Sequence, residues 1–528
     1  MLLRVVTASL RLLGLVVAGL WLISAPADAQ QPRTLVVAAP QTPTGFDGDI
    51  PKVATRQMIT QGNEALVRYR RVQQADGRVA LDPTQIEPNL AERWEVRDDG
   101  RTYVFTLRRG VRSAWGNEMT ADDVLWSFQR AWEIRRTAFF LYNLIGVESF
   151  AKTGDYEFTV RLRQPNLIFL PMLTMYFPTI HDRTQVLRNA TAEDPWGLRY
   201  IDQNLVGFGP YTVESIRPGE QVVLRANPNY FRGQPYFERV IYREVPSLSN
   251  RIALLRTGQV QWVEDLPLRQ IAELRRDRAV RVESVTGTQP ATVRMNPQIA
   301  PFTDRRVREA LVLATDYDAM NRAVFEGLGV PVRSIVPPTV PDSAEVFTPV
   351  RDLARARRLL AEAGHPNGIE VSLQYAGTYW WMEPVAVQLK NQLAEAGIVV
   401  NLQRIPDPEF VRRGLVQVRD MPLFPAGDAT FVLDPVFTAW IFGYSQGVAN
   451  RNAYVSEAFD RAILGALAEQ NPARRSELVR DAQRIHAEDM NWIMLFYPGV
   501  HQAMAPCIRG WVWNPDDWPR FADLRCER

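Results

Sequence analysis

The chain has 528 residues, of which 46% are hydrophobic and 23% charged, and its formal net charge is +2. This length exceeds the roughly 250–300 residues at which a single hydrophobic core stops growing, so we expect two or three domains. The near-neutral charge, with arginines mixed among acidic residues, excludes the basic footprint of a nucleic-acid-binding protein.

The first 29 residues have the pattern of a targeting segment. Arg4 and Arg11 supply positive charge, residues 12–23 form an apolar run, and Ala27 and Ala29 stand where signal peptidase reads small side chains. The alternative is a membrane anchor, but the run is shorter than the roughly 18–20 residues that span a bilayer. No cysteine follows the run, which argues against a lipoprotein anchor. We therefore expect an exported protein with a signal peptide cleaved near Ala29.

Residues 90–127 predict a hairpin followed by a capped helix. Asp98-Asp99-Gly100 suits a tight turn between two β-rich runs. Thr120 stands three residues before Asp123, and two carboxylates fall in the first turn of the helix, where they complement its dipole. These residues alone predict a structural unit and no chemistry.

The order of residues in this unit resembles the signature of the extracellular solute-binding proteins of family 5, which serve peptide, opine and nickel uptake transporters. The matching positions are Leu90, Ala91, Trp94, Asp98, Asp99, Gly100, Tyr103, Phe105, Leu107, Arg108, Gly110, Val111, Thr120, Ala121, Asp122, Asp123, Val124 and Ser127. The resemblance implies an α/β, two-lobed type II periplasmic binding protein fold with an additional subdomain in the first lobe. It also implies a periplasmic receptor that delivers a small solute to an ABC permease with ATPase subunits.

Further stretches resemble the same family. Residues 207–211 read Gly-Phe-Gly-Pro-Tyr, where the family usually has Thr in place of Phe208, and residues 227–230 read Asn-Pro-Asn-Tyr. Residues 301–311 resemble its Pro-Phe-x-Asp-x-x-Val-Arg-x-Ala-Leu segment. Independently, the spacing of four apolar residues predicts one buried helix face, formed by Val307, Ala310, Leu311 and Ala314.

The later part of the chain alternates helices with short apolar strands, which is typical of α/β layers. We predict helices at 353–363, 385–396, 457–469 and 472–488, and strands at 369–375, 398–402 and 493–498. From the resemblance we expect a signal peptide at 1–29, first-lobe segments at 30–75 and 205–290, the extra subdomain at 76–204, the second lobe at 291–496, and a first-lobe return at 497–528.

One candidate ligand-binding stretch is Tyr379-Trp380-Trp381 with Glu383. Adjacent aromatic residues at a loop point in different directions and cannot all face one core, and aromatic rings commonly line ligand clefts. The alternative is structural: one tryptophan packs in the core, and Glu383 caps the helix that begins at Pro384.

The second candidate stretch lies around Asp434-Pro435. In peptide-binding members of the family, an aspartate three residues before such a step pairs with the α-ammonium of the peptide, but Phe431 stands there in this chain. A buried ammonium without a carboxylate is strongly destabilised, so recognition of a free amine requires Asp428 or Glu383 to take over. Phe46, Phe431, Asp434, Trp440 and Tyr444 complete the candidate ligand-binding residues.

An enzymatic alternative rests on residues 443–447, whose Gly-Tyr-Ser-Gln-Gly matches the nucleophile elbow of serine hydrolases around Ser445. The elbow needs a strand-to-helix turn, and residues 448–452 are a poor helix opening. The four histidines lack zinc-motif spacing, so we expect no metal and no cofactor. A periplasmic assembly or chaperone role is a third alternative and requires large partner interfaces instead of an enclosed cleft.

Cys507 and Cys526 are the two cysteines of the chain. In an exported protein such a pair suggests a disulfide that closes a small terminal loop. Two free thiols and a metal site are the alternatives, although no histidine lies between or after the cysteines to complete a zinc site. We expect the protein to be a monomer.

Overall fold

The computed structural model describes residues 33–50, 52, 55–98, 100–415 and 418–527. The expected signal peptide with its cleavage site near Ala29, and Asp99 of the predicted hairpin turn, lie outside the described residues. Within the described ranges, none of the helices combines the length and the apolar character needed to cross a lipid bilayer.

Strands and helices alternate through much of the chain. The strands are Thr34–Ala39 (β1), Val67–Gln73 (β2), Val79–Pro88 (β3), Ala91–Arg97 (β4), Thr102–Leu107 (β5), Val147–Gly154 (β6), Glu157–Leu162 (β7), Tyr211–Arg217 (β8), Gln221–Ala226 (β9), Arg239–Glu244 (β10), Trp262–Val263 (β11), Arg281–Val285 (β12), Ala291–Met295 (β13), Val330–Pro331 (β14), Ile369–Tyr375 (β15), Ile398–Arg404 (β16), Leu423–Ala426 (β17), Trp492–Tyr497 (β18), Val500–Met504 (β19), Ile508–Arg509 (β20) and Arg525–Cys526 (β21). The helices are Thr55–Gly62 (α1), Ala121–Ile134 (α2), Thr137–Leu144 (α3), Phe169–Met172 (α4), Arg183–Leu187 (α5), Leu198–Gln203 (α6), Leu248–Arg256 (α7), Leu268–Leu274 (α8), Arg305–Ala314 (α9), Tyr317–Val324 (α10), Leu353–Glu362 (α11), Met382–Ala394 (α12), Asp407–Arg413 (α13), Pro435–Gly443 (α14), Glu457–Ala468 (α15) and Pro472–Glu488 (α16), with a 3-10 turn at Phe521–Asp523.

Two main sheets define two lobes. Lobe I is built on a seven-stranded sheet in the order β12-β19-β11-β1-β10-β9-β8, in which β1 runs parallel to β10 and β11. Lobe II is built on the four-stranded sheet β14-β18-β13-β17, beside which the parallel pair β15-β16 packs. The α/β two-lobed fold predicted from the sequence is therefore confirmed.

A third sheet, β4-β5-β7-β6, packs against α2. The predicted cap of α2 is present, since Thr120 Oγ1 accepts the Asp122 N–H at 3.3 Å and Asp123 Oδ2 accepts the Thr120 N–H at 2.8 Å. In the hairpin that joins β4 to β5, Asp98 and Gly100 adopt φ values of 53° and 89°, which is the left-handed backbone that an Asp-Gly turn supplies.

The Gly-Phe-Gly-Pro-Tyr stretch is a backbone crossing, as predicted. A Cβ atom on Gly209 would lie 2.4 Å from the carbonyl carbon of Gly62 at the end of α1. Any larger residue at position 209 would therefore collide with main-chain atoms. Phe208, where the family usually has Thr, is buried in the hydrophobic core.

Lobe II follows its predicted pattern closely, and the largest difference is at the start of α12. This helix begins at Met382, three residues before the predicted start at 385. Pro384 lies in its first turn, where the missing N–H of proline costs no helical hydrogen bond. Pro384 is therefore compatible with the earlier start of the helix.

Lobe I and the additional sheet are joined by a buried charge cluster on α2. The Arg130 side chain is 0% exposed and lies 2.5 Å from Asp47 Oδ2 and 2.9 Å from Asp49 Oδ2. Its Nε also donates to the main-chain oxygen of Trp196 at 3.1 Å. The cluster fixes the loop after β1 against the helix of the additional sheet.

Cys507 and Cys526 form a disulfide across a separation of 19 residues, next to the β20-β21 pair. Replacing both cysteines by serine is expected to lower the free energy of unfolding by about 3 kcal/mol, because the cross-link restricts the unfolded chain. Chemical denaturation of the double variant measures this loss, and wild-type protein unfolded with a reductant should reproduce it. Equal stability of all three samples would show that the cross-link does not hold the C-terminal segment.

Candidate functional site

Two chain crossovers connect the lobes, and each contains a glycine with a left-handed backbone. Gly287 (φ 72°) lies between β12 and β13, and Gly499 (φ 84°) lies between β18 and β19. A Cβ atom on Gly287 would lie 2.9 Å from Val500 Cγ2, and one on Gly499 would lie 2.9 Å from His501 Nε2. Both positions therefore combine an unusual φ with close packing, which glycine tolerates best. We refer to the two crossovers as the hinge.

A cavity of about 650 Å³ borders the hinge, and we name it the hinge cavity. Its lining includes Tyr242, Glu264 and Leu268 of lobe I, Asp517 and Trp518 of the C-terminal segment, and Trp380 of lobe II. Its volume falls within the roughly 300–1,000 Å³ that is usual for small-molecule sites, and it combines aromatic walls with a few polar groups. It is therefore our candidate ligand site.

The predicted aromatic stretch divides between this cavity and the core. Trp380 is 48% exposed, lines the hinge cavity and meets the Phe325 ring edge-on, with the centroids 6.0 Å apart. Trp381 is 1% exposed, and its ring is stacked on that of Tyr379 at 5.7 Å. The structure thus exposes Trp380 at the wall of the cavity and buries Trp381 in the core. Ligand contact by any of the three stays a prediction.

The two carboxylates proposed to replace the family aspartate have other surroundings. Asp428 lies between two arginines, with Arg294 NH1 and Arg451 NH2 each 3.0 Å from one of its oxygens. Glu383 is exposed in the first turn of α12, and its nearest cation is Arg404 NH1 at 3.8 Å. Neither residue lines the hinge cavity. The expectation that one of them receives a ligand ammonium therefore lacks support in this geometry.

The charge of Asp428 is held in place by its neighbours. Burial opposes ionisation, but Arg451 and then Arg294 outweigh it and lower the pKa of this carboxyl. Burial lowers the pKa of Arg294 to about 10, although its guanidinium also lies over the Trp492 ring at 4.2 Å. The three side chains carry a formal charge of +1 inside lobe II, and they act as a structural cluster.

Asp434 and Phe431 also have structural contacts. Asp434 Oδ1 accepts the Phe437 N–H at 2.8 Å, which caps α14, and Asp434 pairs with Arg475 NH2 at 2.9 Å. The Phe431 ring meets the Tyr176 ring edge-on at 5.8 Å and lines a second cavity. Both residues therefore have structural contacts, and a ligand contact by either of them stays a prediction.

The remaining candidates lie away from the hinge cavity. Phe46 is 2% exposed and packs in the core of lobe I. Trp440 lies on α14 against the core, and Tyr444 follows that helix, where its main-chain oxygen accepts from Asn450 Nδ2 at 3.0 Å. In this conformation the three residues have packing roles, and their predicted ligand contacts lack support in the geometry.

Ser445 does not sit on a nucleophile elbow. Residues 435–443 form α14, so the serine follows a helix, whereas an elbow requires a strand before it and a helix after it. The Ser445 N–H donates to Asp460 Oδ1 at 3.0 Å, and its main-chain oxygen accepts from Arg419 NH1 at 2.9 Å. His486 is buried against the Tyr454 and Trp492 rings. Nothing in this arrangement supports the serine hydrolase alternative.

The second cavity, of about 130 Å³, lies where lobe I, the C-terminal segment and Phe431 of lobe II meet. Its charged lining is paired internally, as in the two hydrogen bonds of 2.6 and 2.8 Å from Arg71 to Asp523. Nearby, Tyr69 Oη accepts the Leu433 N–H at 2.7 Å and so joins the two lobes. This space is small and much of its charged lining is ion-paired, which is typical of a structural junction.

Sequence reasoning missed three residues that line the hinge cavity: Glu264, Asp517 and Trp518. The adjacent Glu264-Asp265 pair after a short strand and the Asp-Asp-Trp-Pro run at 516–519 are visible in the sequence. Nothing local relates them, because about 250 residues separate the two stretches along the chain. Throughout the part of the chain that the structure describes, no group of three or more His, Cys, Asp or Glu residues could hold a metal ion.

Comparison with known proteins identifies the family. The sequence profile of the bacterial extracellular solute-binding proteins, family 5 (middle region), matches residues 85–450. The probable di/tripeptide-binding protein 5 of Pseudomonas aeruginosa is 29% identical over 96% of this chain and 98% of its own length. Heme-binding protein A of Haemophilus influenzae is 26% identical over 94% of this chain and 92% of its own length.

Solved structures share the fold. The ABC transporter-associated periplasmic binding protein DppA from Helicobacter pylori, in complex with the peptide STSA, superimposes with a TM-score of 0.77 at 23% identity. The match covers 94% of this chain and 99% of that one. With the two lobes, the hinge and the family profile all in agreement, this chain belongs to the bacterial extracellular solute-binding proteins of family 5.

Proposed function

We propose that this protein captures a small organic solute in the hinge cavity and delivers it to an ABC permease with its ATPase subunits. The observation that carries the proposal is the cavity itself, which combines residues from both lobes at the hinge that joins them. A cleft shared by two lobes is the usual place for a ligand in such folds.

The mechanism follows from this placement. If the lobes exchange between open and closed arrangements, a solute that contacts both lobes favours the closed one by its additional contacts. Trp380 of lobe II and Glu264 of lobe I would make such paired contacts. The closed form is then what a permease recognises, and the chain itself performs no covalent chemistry.

Peptides are the first ligand class to test, because one relative is named a di/tripeptide-binding protein and a structural relative holds a peptide. Heme is a second class, since another relative is named for binding it. Phe431 stands where peptide-binding members have their ammonium-binding aspartate, so a peptide must be recognised in a different way here. Opines, sugars and aromatic acids complete the panel.

Thermal-shift and calorimetric titration of the mature protein, residues 30–528, tests the proposal. A ligand present at about 100 times its Kd should add about 2.7 kcal/mol to the stability of the native state. Trp380→Ala should weaken the best ligand at least about tenfold, because it removes an aromatic wall. Phe140→Ala is a matched control, since Phe140 is 47% exposed and lies outside the cavity lining.

Failure of every compound in the panel to stabilise the protein would contradict a receptor for these solutes and would favour the assembly or chaperone alternative. Equal losses in Trp380→Ala and Phe140→Ala would place the ligand elsewhere. We further propose periplasmic export with cleavage near Ala29, a monomeric state, and the domain borders predicted from the sequence. The family assignment and the two-lobed fold support these proposals.

A further inference from the structure

Three carboxylates line the hinge cavity, and none forms an ion pair with another described residue. They are Glu264 and Asp265, which follow β11, and Asp517 in the C-terminal segment. Lys52 also lines the cavity, but its ammonium lies 2.5 Å from Asp202 Oδ2. The described wall of the cavity therefore has three carboxyl groups and one ammonium, which is already paired.

Several buried carboxylates of this chain are paired with arginine, whereas others, such as Asp182, accept a hydrogen bond on each oxygen. Asp47 pairs with Arg130 at 2.5 Å, and Asp434 pairs with Arg475 at 2.9 Å. Ion pairing is the usual way to keep a carboxylate charged inside a protein. Glu264, the buried carboxylate of the hinge cavity, departs from both patterns, because its Oε1 has neither an ion pair nor a hydrogen-bond donor among the described residues.

Glu264 is the best defined of the three. It is 8% exposed, and its Oε2 accepts from the Tyr242 hydroxyl and, at 3.0 Å, from Gln57 Nε2. Its Oε1 is buried and receives no hydrogen bond from the described residues. The charge of Arg251 favours the ionised form of Glu264, but the two residues form no ion pair. The Arg251 guanidinium donates instead to the main-chain oxygens of Val245, Pro246 and Asp265. One carboxylate oxygen is thus held in place with no donor.

Asp517 lies on the hinge side of the cavity. Its Oδ1 accepts from Trp513 Nε1 at 2.7 Å and would lie 3.7 Å from a Cβ atom on Gly287. Burial raises the pKa of Asp517 to about 7, and burial likewise raises that of Glu264 to about 7. Neither carboxyl forms an ion pair that would offset its burial, although the charge of Arg251 acts in that direction at Glu264.

The rest of the lining suits a cation with an apolar body. Trp380 and Trp518 offer two indole rings, whose faces attract ammonium and guanidinium groups. His501 does not compete for the carboxylates, because its ring nitrogens are engaged by Ser284 Oγ at 2.8 Å and the Pro498 oxygen at 2.9 Å. Burial also lowers the pKa of His501, which favours its neutral form.

We propose that the hinge cavity binds an organic cation, a protonated amine or a guanidinium, whose charged group is received by Glu264 with Asp517 nearby and whose apolar part packs between Trp380 and Trp518. This inference rests on the proposed function and assigns the chemical class of its solute. It places the ammonium-binding carboxylate on lobe I, whereas peptide-binding relatives place theirs before the Asp-Pro step of lobe II.

The first experiment compares thermal unfolding of the mature wild type and Glu264→Gln without ligand. Glutamine keeps an acceptor for Tyr242 and Gln57 and removes the charge. We expect the melting temperature to stay the same or to rise, because a buried carboxylate without a cation does not stabilise the free protein. A large fall in the melting temperature would show a structural ion pair and would overturn the proposal.

The second experiment measures the charge preference by calorimetry with two pairs of probes. In the first pair, alanyl-arginine has a guanidinium where alanyl-citrulline has a neutral urea group. In the second pair, alanyl-alanine has a terminal ammonium where its N-acetyl form has a neutral amide. We expect the wild type to prefer the cationic member of at least one pair by about tenfold to a hundredfold, as a charge-assisted contact provides. The pair that shows the preference identifies the cationic group.

Glu264→Gln should remove this preference, and Asp517→Asn should reduce it. Glu457→Gln, whose side chain is 90% exposed on lobe II, is the matched control and should keep it. Binding by the wild type without a charge preference, or a preference that survives in Glu264→Gln, would overturn the cation proposal alone. No binding by any of these probes or by the wider solute panel would overturn the receptor proposal and this inference with it.

Discussion

Replacing Arg130 by methionine is expected to lower the free energy of unfolding by about 3–5 kcal/mol, one of the two largest single-residue effects that this structure predicts. The arginine is fully buried and is the common partner of Asp47 and Asp49. Methionine fills similar space but leaves two buried carboxylates without a cation. Urea denaturation of the mature variant, followed by circular dichroism, measures the loss.

The triple variant Arg130→Met with Asp47→Asn and Asp49→Asn separates charge from packing. It should recover part of the lost stability, because no uncompensated charge is then buried. If the single variant were as stable as the wild type, or the triple variant were less stable than the single one, the cluster would not join the loop after β1 to α2 in the way described.

Asp428→Asn is expected to have the second large effect and to lower the free energy of unfolding by about 3–5 kcal/mol. Asp428 is the shared anion of Arg294 and Arg451, so its neutralisation leaves two guanidinium groups close together inside lobe II. Arg294→Met should lower the free energy of unfolding clearly less, because it leaves the Asp428–Arg451 pair intact. It also removes a side chain whose Nε and NH2 donate no hydrogen bond to the described residues.

The order of these two losses is the informative result, and denaturation of both variants under one set of conditions measures it. Glu457→Gln, on the surface of the same lobe, should not change stability and serves as the control. An equal or larger loss in Arg294→Met would mean that Asp428 is not the centre of the cluster. It would also reopen the possibility that its carboxylate is available to a ligand.

Features coded by nearby residues could be predicted well. The cap of α2 needs only Thr120 and Asp123. The backbone crossing at Gly209 can be predicted from the five residues 207–211. The helices and strands of lobe II follow from apolar spacing because each repeats a local pattern. The resemblance to a family then supplied the arrangement of these elements, which local patterns do not contain.

The site could be predicted only in part, because its residues meet through the fold. The sequence offers Asp428 as a candidate ligand group, and only the fold shows that it pairs with Arg294, which is 134 residues away. Trp380 and Trp381 are neighbours in sequence, yet one lines the cavity and the other is buried. Glu264 and Asp517 line the same cavity, although about 250 residues separate them along the chain, and no short sequence pattern relates them.

The false enzyme motif has a similar physical reason. A Gly-x-Ser-x-Gly run describes chemistry only when a strand precedes the serine, since the strained turn is what exposes the hydroxyl. Here α14 precedes Ser445, and the glycines serve packing: a Cβ atom on Gly447 would lie 2.7 Å from the main-chain oxygen of Trp440. Residues 443–447 therefore form the last residue of α14 and the turn that follows it.

Small-angle X-ray scattering of the mature protein, with and without the strongest-binding solute of the panel, tests the central claim most directly. A receptor that closes about the Gly287 and Gly499 crossovers should show a smaller radius of gyration when the solute is bound, and Trp380→Ala should require a higher solute concentration for the same change. Tight binding with no change in the radius of gyration, or a change that Trp380→Ala does not affect, would contradict capture in the hinge cavity by lobe closure.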